Sequence, residues 1–223
     1  MSRILATVFA ILFWWSDCPQ AQGKFFVGAL GGVSTLSADD ETLISQDKTS
    51  VSLYSPKNGV ALNVLAGAHL SDFLSVQGNY VWNQNQLTLT STLFSDGSQV
   101  LYQQQRSSAQ HGVIADLLLY FRNRQSWIRP YLSAGAGVVY FSSRQDTLLS
   151  IQGMPALPPE TFASTQPALR IAVGADLALG RGWAFRYSFS ETLGKNPISA
   201  QLSPPGQRNL ANFQNLFGLV KTF

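Results

Sequence analysis

Over most of this chain, apolar residues recur at every second position. The clearest stretch runs from Ala168 to Phe189. Leu169, Ile171, Val173, Ala175, Leu177 and Leu179 alternate with Ala168, Arg170, Ala172, Gly174, Asp176 and Ala178. After Arg181-Gly182, the residues Trp183, Phe185, Tyr187 and Phe189 alternate with Ala184, Arg186 and Ser188. Period-2 alternation around a short Gly-containing turn predicts a β-hairpin. One face is apolar and carries aromatics, while the other is small or charged. A solvated outer face would not be so rich in Gly and Ala. The pattern therefore predicts a narrow polar interior with lipid outside.

The same pattern predicts six further strands. They cover Lys24–Thr35, Asn58–Leu70, Phe73–Thr92, Gln110–Phe121, Trp127–Ser143 and Ala211–Phe223. With the two strands of the hairpin the count is eight. The connections after the first, third, fifth and seventh strands are long and polar (36–57, 94–108, 144–166 and 195–210). Those after the second, fourth and sixth are short, at Ser71-Asp72, Arg122–Ser126 and Arg181-Gly182. In an up-and-down barrel, alternate connections share a rim. Long loops on one rim and short turns on the other suit a membrane barrel. The expected fold is an all-β, eight-stranded antiparallel transmembrane barrel closed by its last strand against its first. An open edge could not span lipid.

Composition narrows the class. The chain has 223 residues, of which only 12% are charged. About a quarter is usual for a soluble domain, so this surface is poor in charge. The net charge of +3 is scattered and offers no nucleic-acid patch. Ile4 to Trp15 is too short an apolar run for a spanning helix. With Arg3 before it and Ala21 and Gly23 after it, the run reads as a signal peptide over residues 1–23, cleaved after Ala21 or Gly23. The barrel domain then covers 24–223. Cys18, the only cysteine, would leave with the signal, and Trp15-Ser16-Asp17 before it lacks the Leu and small residues of a lipobox.

On these features the chain resembles the small outer-membrane β-barrels of the OmpA/OmpX type. Arg129-Pro130-Tyr131 before Ser133–Gly137 looks like a strand start frequent in such barrels. The last strand, with Phe217, Leu219 and terminal Phe223, resembles the signal read by the barrel-assembly machinery; Lys221 departs from it and is expected to snorkel. The resemblance implies an integral outer-membrane location, with outer-membrane lipid and the assembly machinery as partners. No peptidoglycan-binding domain is expected.

The inward set includes Asn63, Gln77, Asn79, Asp116, Tyr120, Arg129, Tyr131, Arg170, Asp176 and Arg186. Charges there must pair or remain costly, and the hairpin puts Asp176 about opposite Arg186. A packed polar interior is the expectation; an ion gate is the alternative. Trp82, Tyr140, Phe141, Trp127, Trp183 and Phe223 are expected in interfacial girdles. His69-Leu70-Ser71 loosely resembles the catalytic pair of lipid A deacylases, but lacks the motif's flanking residues and an evident acidic partner. Neither His69 nor His111 has a neighbour at metal-ligand spacing. No catalytic residues, metal or cofactor are expected. The expected role is non-enzymatic and structural, with an exterior ligand at loops 36–57, 94–108, 144–166 and 195–210. A small pore for ions or solutes is the alternative, and a lipid-modifying barrel enzyme the second alternative. A monomer is expected.

Overall fold

The computed structural model describes residues 24–37, 43–44, 50–95, 97–151, 157, 159–197 and 209–223. The expected signal segment 1–23 lies outside them. Ten strands are described: β1 (Phe25–Ser37), β2 (Leu43–Ile44), β3 (Ser50–Pro56), β4 (Gly59–His69), β5 (Leu74–Ser95), β6 (Gly97–Tyr120), β7 (Ile128–Ile151), β8 (Thr161–Gly180), β9 (Trp183–Lys195) and β10 (Asn209–Thr222). Eight of them form the barrel in the order β5-β4-β1-β10-β9-β8-β7-β6, and β6 pairs back onto β5. Every pairing is antiparallel, and β10 closes on β1 from Phe26↔Thr222 to Ser37↔Ala211. The Phe223 amide extends this seam by donating to the Phe25 carbonyl.

The register fixes the shape. Direct partners run from Phe25 through Ala68, Val76, Leu117, Ala134, Ile171, Glu191 and Phe213 to Thr35. One circuit thus returns to β1 ten residues further on (35 − 25 = 10). With strands about 4.8 Å apart and about 3.3 Å per residue, this stagger tilts the strands by about 40°. The seam is tight at Gly32, where a Cβ would stand 1.9 Å from the Asn215 carbonyl oxygen. The β8–β9 turn places Gly180, Arg181 and Gly182 all at positive φ (96°, 51° and 74°). Glycine enters that region freely and arginine does so at a cost.

Four strands are longer than the alternation predicts. Loop 94–108 falls almost wholly within β5 and β6, which pair as far as Ser95↔Gly97. Residues 144–151 continue β7, and β8 begins at Thr161. In the segment 36–57, β3 pairs with β5 from Pro56↔Leu87 to Ser50↔Leu93. The reason lies in the outer face. Below Tyr80, Trp82, His111 and Tyr140, outward residues such as Val76, Val113, Leu117 and Val138 are apolar. Above that level the outward residues include Gln84, Gln86, Thr88, Gln105 and Ser107, with Leu148, Leu149 and Ile151 exposed at the top of β7, while Leu87, Leu89, Tyr102 and Phe141 turn inward and are buried. The period of two continues, but its polarity reverses where the surroundings change from lipid to water. Phe141 is therefore not a girdle residue, because its neighbour Tyr140 takes the outward side.

Candidate functional site in the barrel interior

Alternation carries polar side chains inward from β5, β6, β8 and β9, and these meet across the lumen. At the end nearest the short turns, Arg186 makes two bonds to Asp176, Nε to Oδ1 at 2.6 Å and Nη2 to Oδ2 at 2.7 Å. Its Nη1 donates to Gln77 Oε1 at 2.7 Å and its Nη2 to the Tyr120 hydroxyl at 2.8 Å. Tyr120 donates in turn to Asp176 Oδ2 at 3.1 Å. The Arg129 guanidinium lies 3.8 Å from the centre of the Tyr120 ring and donates to the Asp72 carbonyl. Tyr131 packs against Tyr120, with ring centres 5.6 Å apart. Asp176 and Arg186 stand directly opposite each other in the β8–β9 register, which is why so compact a bidentate pair forms.

One layer higher, Arg170 Nη1 is 3.2 Å from Asp116 Oδ2. Asn79 donates to the same oxygen at 2.9 Å and accepts from Asn63 and Gln77. These two layers contain Asn63, Gln77, Asp116, Tyr120, Arg129, Tyr131, Arg170, Asp176 and Arg186, all buried. A third layer is built from residues that the inward set omits. Asn212 donates to Asn83 at 2.9 Å and to Gln110 at 2.8 Å, while Ser34 donates to Asn212 at 2.7 Å.

Above the third layer the interior becomes apolar. Leu36, Leu87, Leu89, Tyr102, Phe141 and Leu210 form one buried cluster, with Phe162 packed against it. Arg106 crosses beside them. It donates to Ser143 Oγ, Gln104 Oε1 and the carbonyls of Pro159 and Glu160. Counting back in twos from Asp116 reaches Gln110, Arg106, Gln104 and Tyr102. Arg106 was therefore within reach of the sequence pattern had the strand been carried past Gln110.

The remaining sequence candidates occupy the rims and the outer wall. His69 Nδ1 lies 2.7 Å from Ser75 Oγ, and the ring packs on Phe26. Ser71 Oγ instead accepts the backbone N–H groups of Phe73 and Leu74 in the turn. The structure thus shows no hydrogen bond between His69 and Ser71. A cavity of about 470 Å³ opens at this end, with His69, Arg124, Arg129 and Trp183 in its lining. His111 points outward and meets the Tyr80 hydroxyl at 2.8 Å. Phe217 and Leu219 are exposed on the outer wall. Lys221 donates through Nζ to the Arg181 carbonyl at 2.6 Å, near the rings of Trp183 and Phe223.

A closed eight-stranded barrel with long strands at one end, short turns at the other and an apolar outer belt defines the outer-membrane barrel class. The model of the outer membrane protein beta-barrel domain matches residues 7–216, and the chain belongs to that family. No curated protein matches it in sequence. Among solved structures, Neisserial surface protein A is 13% identical with a TM-score of 0.53, over 89% of this chain and 97% of that one. The attachment invasion locus protein of Yersinia pestis, Ail, is 11% identical with a TM-score of 0.50, over 91% of this chain and all of the other. At these identities the likeness is one of fold.

Proposed function

We propose that this protein is a non-enzymatic, non-conducting outer-membrane barrel whose role is to present an exterior sheet to a surface partner. The observation that carries this reading is the length of β5, β6 and β7 beyond the aromatic level. From His111 to Gly97, β6 rises about 35 Å along the barrel axis at about 3.3 Å per residue and about 40° tilt. Such a wall is far taller than membrane anchoring requires. Its outer surface is rich in Gln, Ser and Thr, and its inner surface has its own apolar packing. The interior supports the non-conducting half of the reading, since three polar layers and the apolar cluster cross the lumen in succession. Export through cleavage of residues 1–23, and assembly through Phe217, Leu219 and Phe223, belong to the same reading.

A narrow hydrated pore is the second reading. Asn63 Oδ1, Asp116 Oδ1 and Arg170 Nε are buried without a protein partner, and buried polar atoms of this kind usually bind water. Planar-bilayer recording separates the two. The first reading expects silence from the parent chain. Steady unitary openings in the parent would replace it with the second.

A further inference from the structure

The outer wall is not uniform. On β1, β4, β5, β6, β7 and β8 the outward residues of the membrane section include no charged or amide side chain. Adjacent strands β9 and β10 do carry such groups. Glu191 follows Phe189 on the outward face of β9, and Asn215 precedes Phe217 on that of β10. With Phe25 as the lower reference, the register, spacing and tilt put Asn215 and Glu191 about 16 and 18 Å up the axis, against about 27 Å for Tyr140. Both therefore lie within a lipid-facing band about 25 Å tall. An ionisable group in such a place marks a site and calls for a partner.

The two side chains are complementary. The Tyr187 hydroxyl donates to Asn215 Oδ1 at 3.1 Å. That bond leaves the Asn215 amide N–H groups to donate outward, whereas the Glu191 carboxylate can only accept. The two positions differ by about 2 Å in height and stand about 8 Å apart across the wall. A two-fold axis along the membrane normal, midway between them, would bring each Glu191 opposite the partner copy's Asn215. Such a contact satisfies itself twice, as a symmetric dimer interface must. Phe189 and Phe213, stacked with ring centres 6.2 Å apart, fall on that axis.

We propose that the β9–β10 face is the contact surface of a homodimer within the membrane, held by reciprocal Asn215–Glu191 hydrogen bonds around Phe189 and Phe213. The test uses the full chain in native outer membranes, in a Cys18→Ser background. Phe213→Cys and Phe189→Cys place a thiol at the axis, while Leu62→Cys on β4 is the control. Heat-modifiable gel mobility verifies that each variant has folded. Oxidation should give a dimer band with either axis variant and none with Leu62→Cys. Adding Glu191→Leu, which removes the acceptor and suits lipid, should leave barrel assembly intact and lower the dimer yield at least fivefold. The proposal is overturned if both axis variants cross-link no better than the control, if they capture a different protein instead, or if Glu191→Leu leaves the yield unchanged.

Discussion

The barrel has two sections with opposite interiors. In the membrane section the inside is polar, with Arg186–Asp176 and Arg170–Asp116 at its centre, and the outside is apolar apart from Glu191 and Asn215 on β9 and β10. In the exterior section the inside holds Leu36, Leu87, Leu89, Tyr102, Phe141 and Leu210, and the outside is mostly polar, with Leu148, Leu149 and Ile151 at the top of β7 the exposed exceptions among the described residues of the barrel strands. The strands are continuous across the boundary, and β5 alone supplies Gln77 and Asn79 below and Leu87 and Leu89 above. The difference teaches that a strand's two faces are assigned by the surroundings of its outer face. Where lipid covers the outside, apolar groups go there and polar groups are left to satisfy one another within. Where water covers it, the apolar groups are driven inward as in a soluble protein. Tyr80, His111 and Tyr140 mark the crossover.

The largest effect should come from breaking the polar section. Arg186→Ala leaves the Asp176 carboxylate buried without its main partner, at a cost of about 3–5 kcal/mol. Denaturant unfolding in lipid vesicles should register a loss of that size. Replacing both residues by leucine should restore much of it. If the single and double variants are equally unstable, the membrane interior does not depend on that pair.

A smaller effect should follow from Leu89→Ala in the exterior section, about 2–4 kcal/mol for a buried leucine. Here the loss should be local. Amide exchange is expected to speed up in residues 84–110 while 113–119 stay protected. Uniform acceleration along β5 and β6 would mean that the two sections are one cooperative unit.

The third contrast uses one substitution on the outer face of each section. Val173→Arg meets lipid and should cost about 2–4 kcal/mol. Gln86→Arg meets water and should change stability by no more than about 0.5 kcal/mol. The refolded fraction in vesicles gives both values. Equal costs would place the lipid boundary elsewhere.

Much of this was legible in the residues. Alternation around Arg181-Gly182 located the hairpin, and eight such runs with alternately short and long connections implied the closed barrel. The inward parity of Asp116, Arg170, Asp176 and Arg186 followed from the same count. Arg106, Tyr102, Leu36 and Leu210 lie outside the predicted strands, which end where apolar residues leave the expected face, whereas Asn83, Asn212, Leu87, Leu89 and Phe141 lie inside them and are brought together only across the lumen. From Tyr102 to Ala109 the period of two persists, but with its polarity reversed a periodic strand reads as a polar loop.

The sequence by itself determined the period of the strands and the number that close the barrel, because backbone pleat and turn chemistry are local. Only the tertiary structure decided the ten-residue stagger, and with it which residues meet across the lumen. Gln77 and Arg186 are 109 positions apart, yet form a 2.7 Å hydrogen bond. The β9–β10 register also decided that Glu191 and Asn215 share one patch of the outer wall. Neither the tilt of a closed sheet nor the medium outside each of its levels is a property of any single segment.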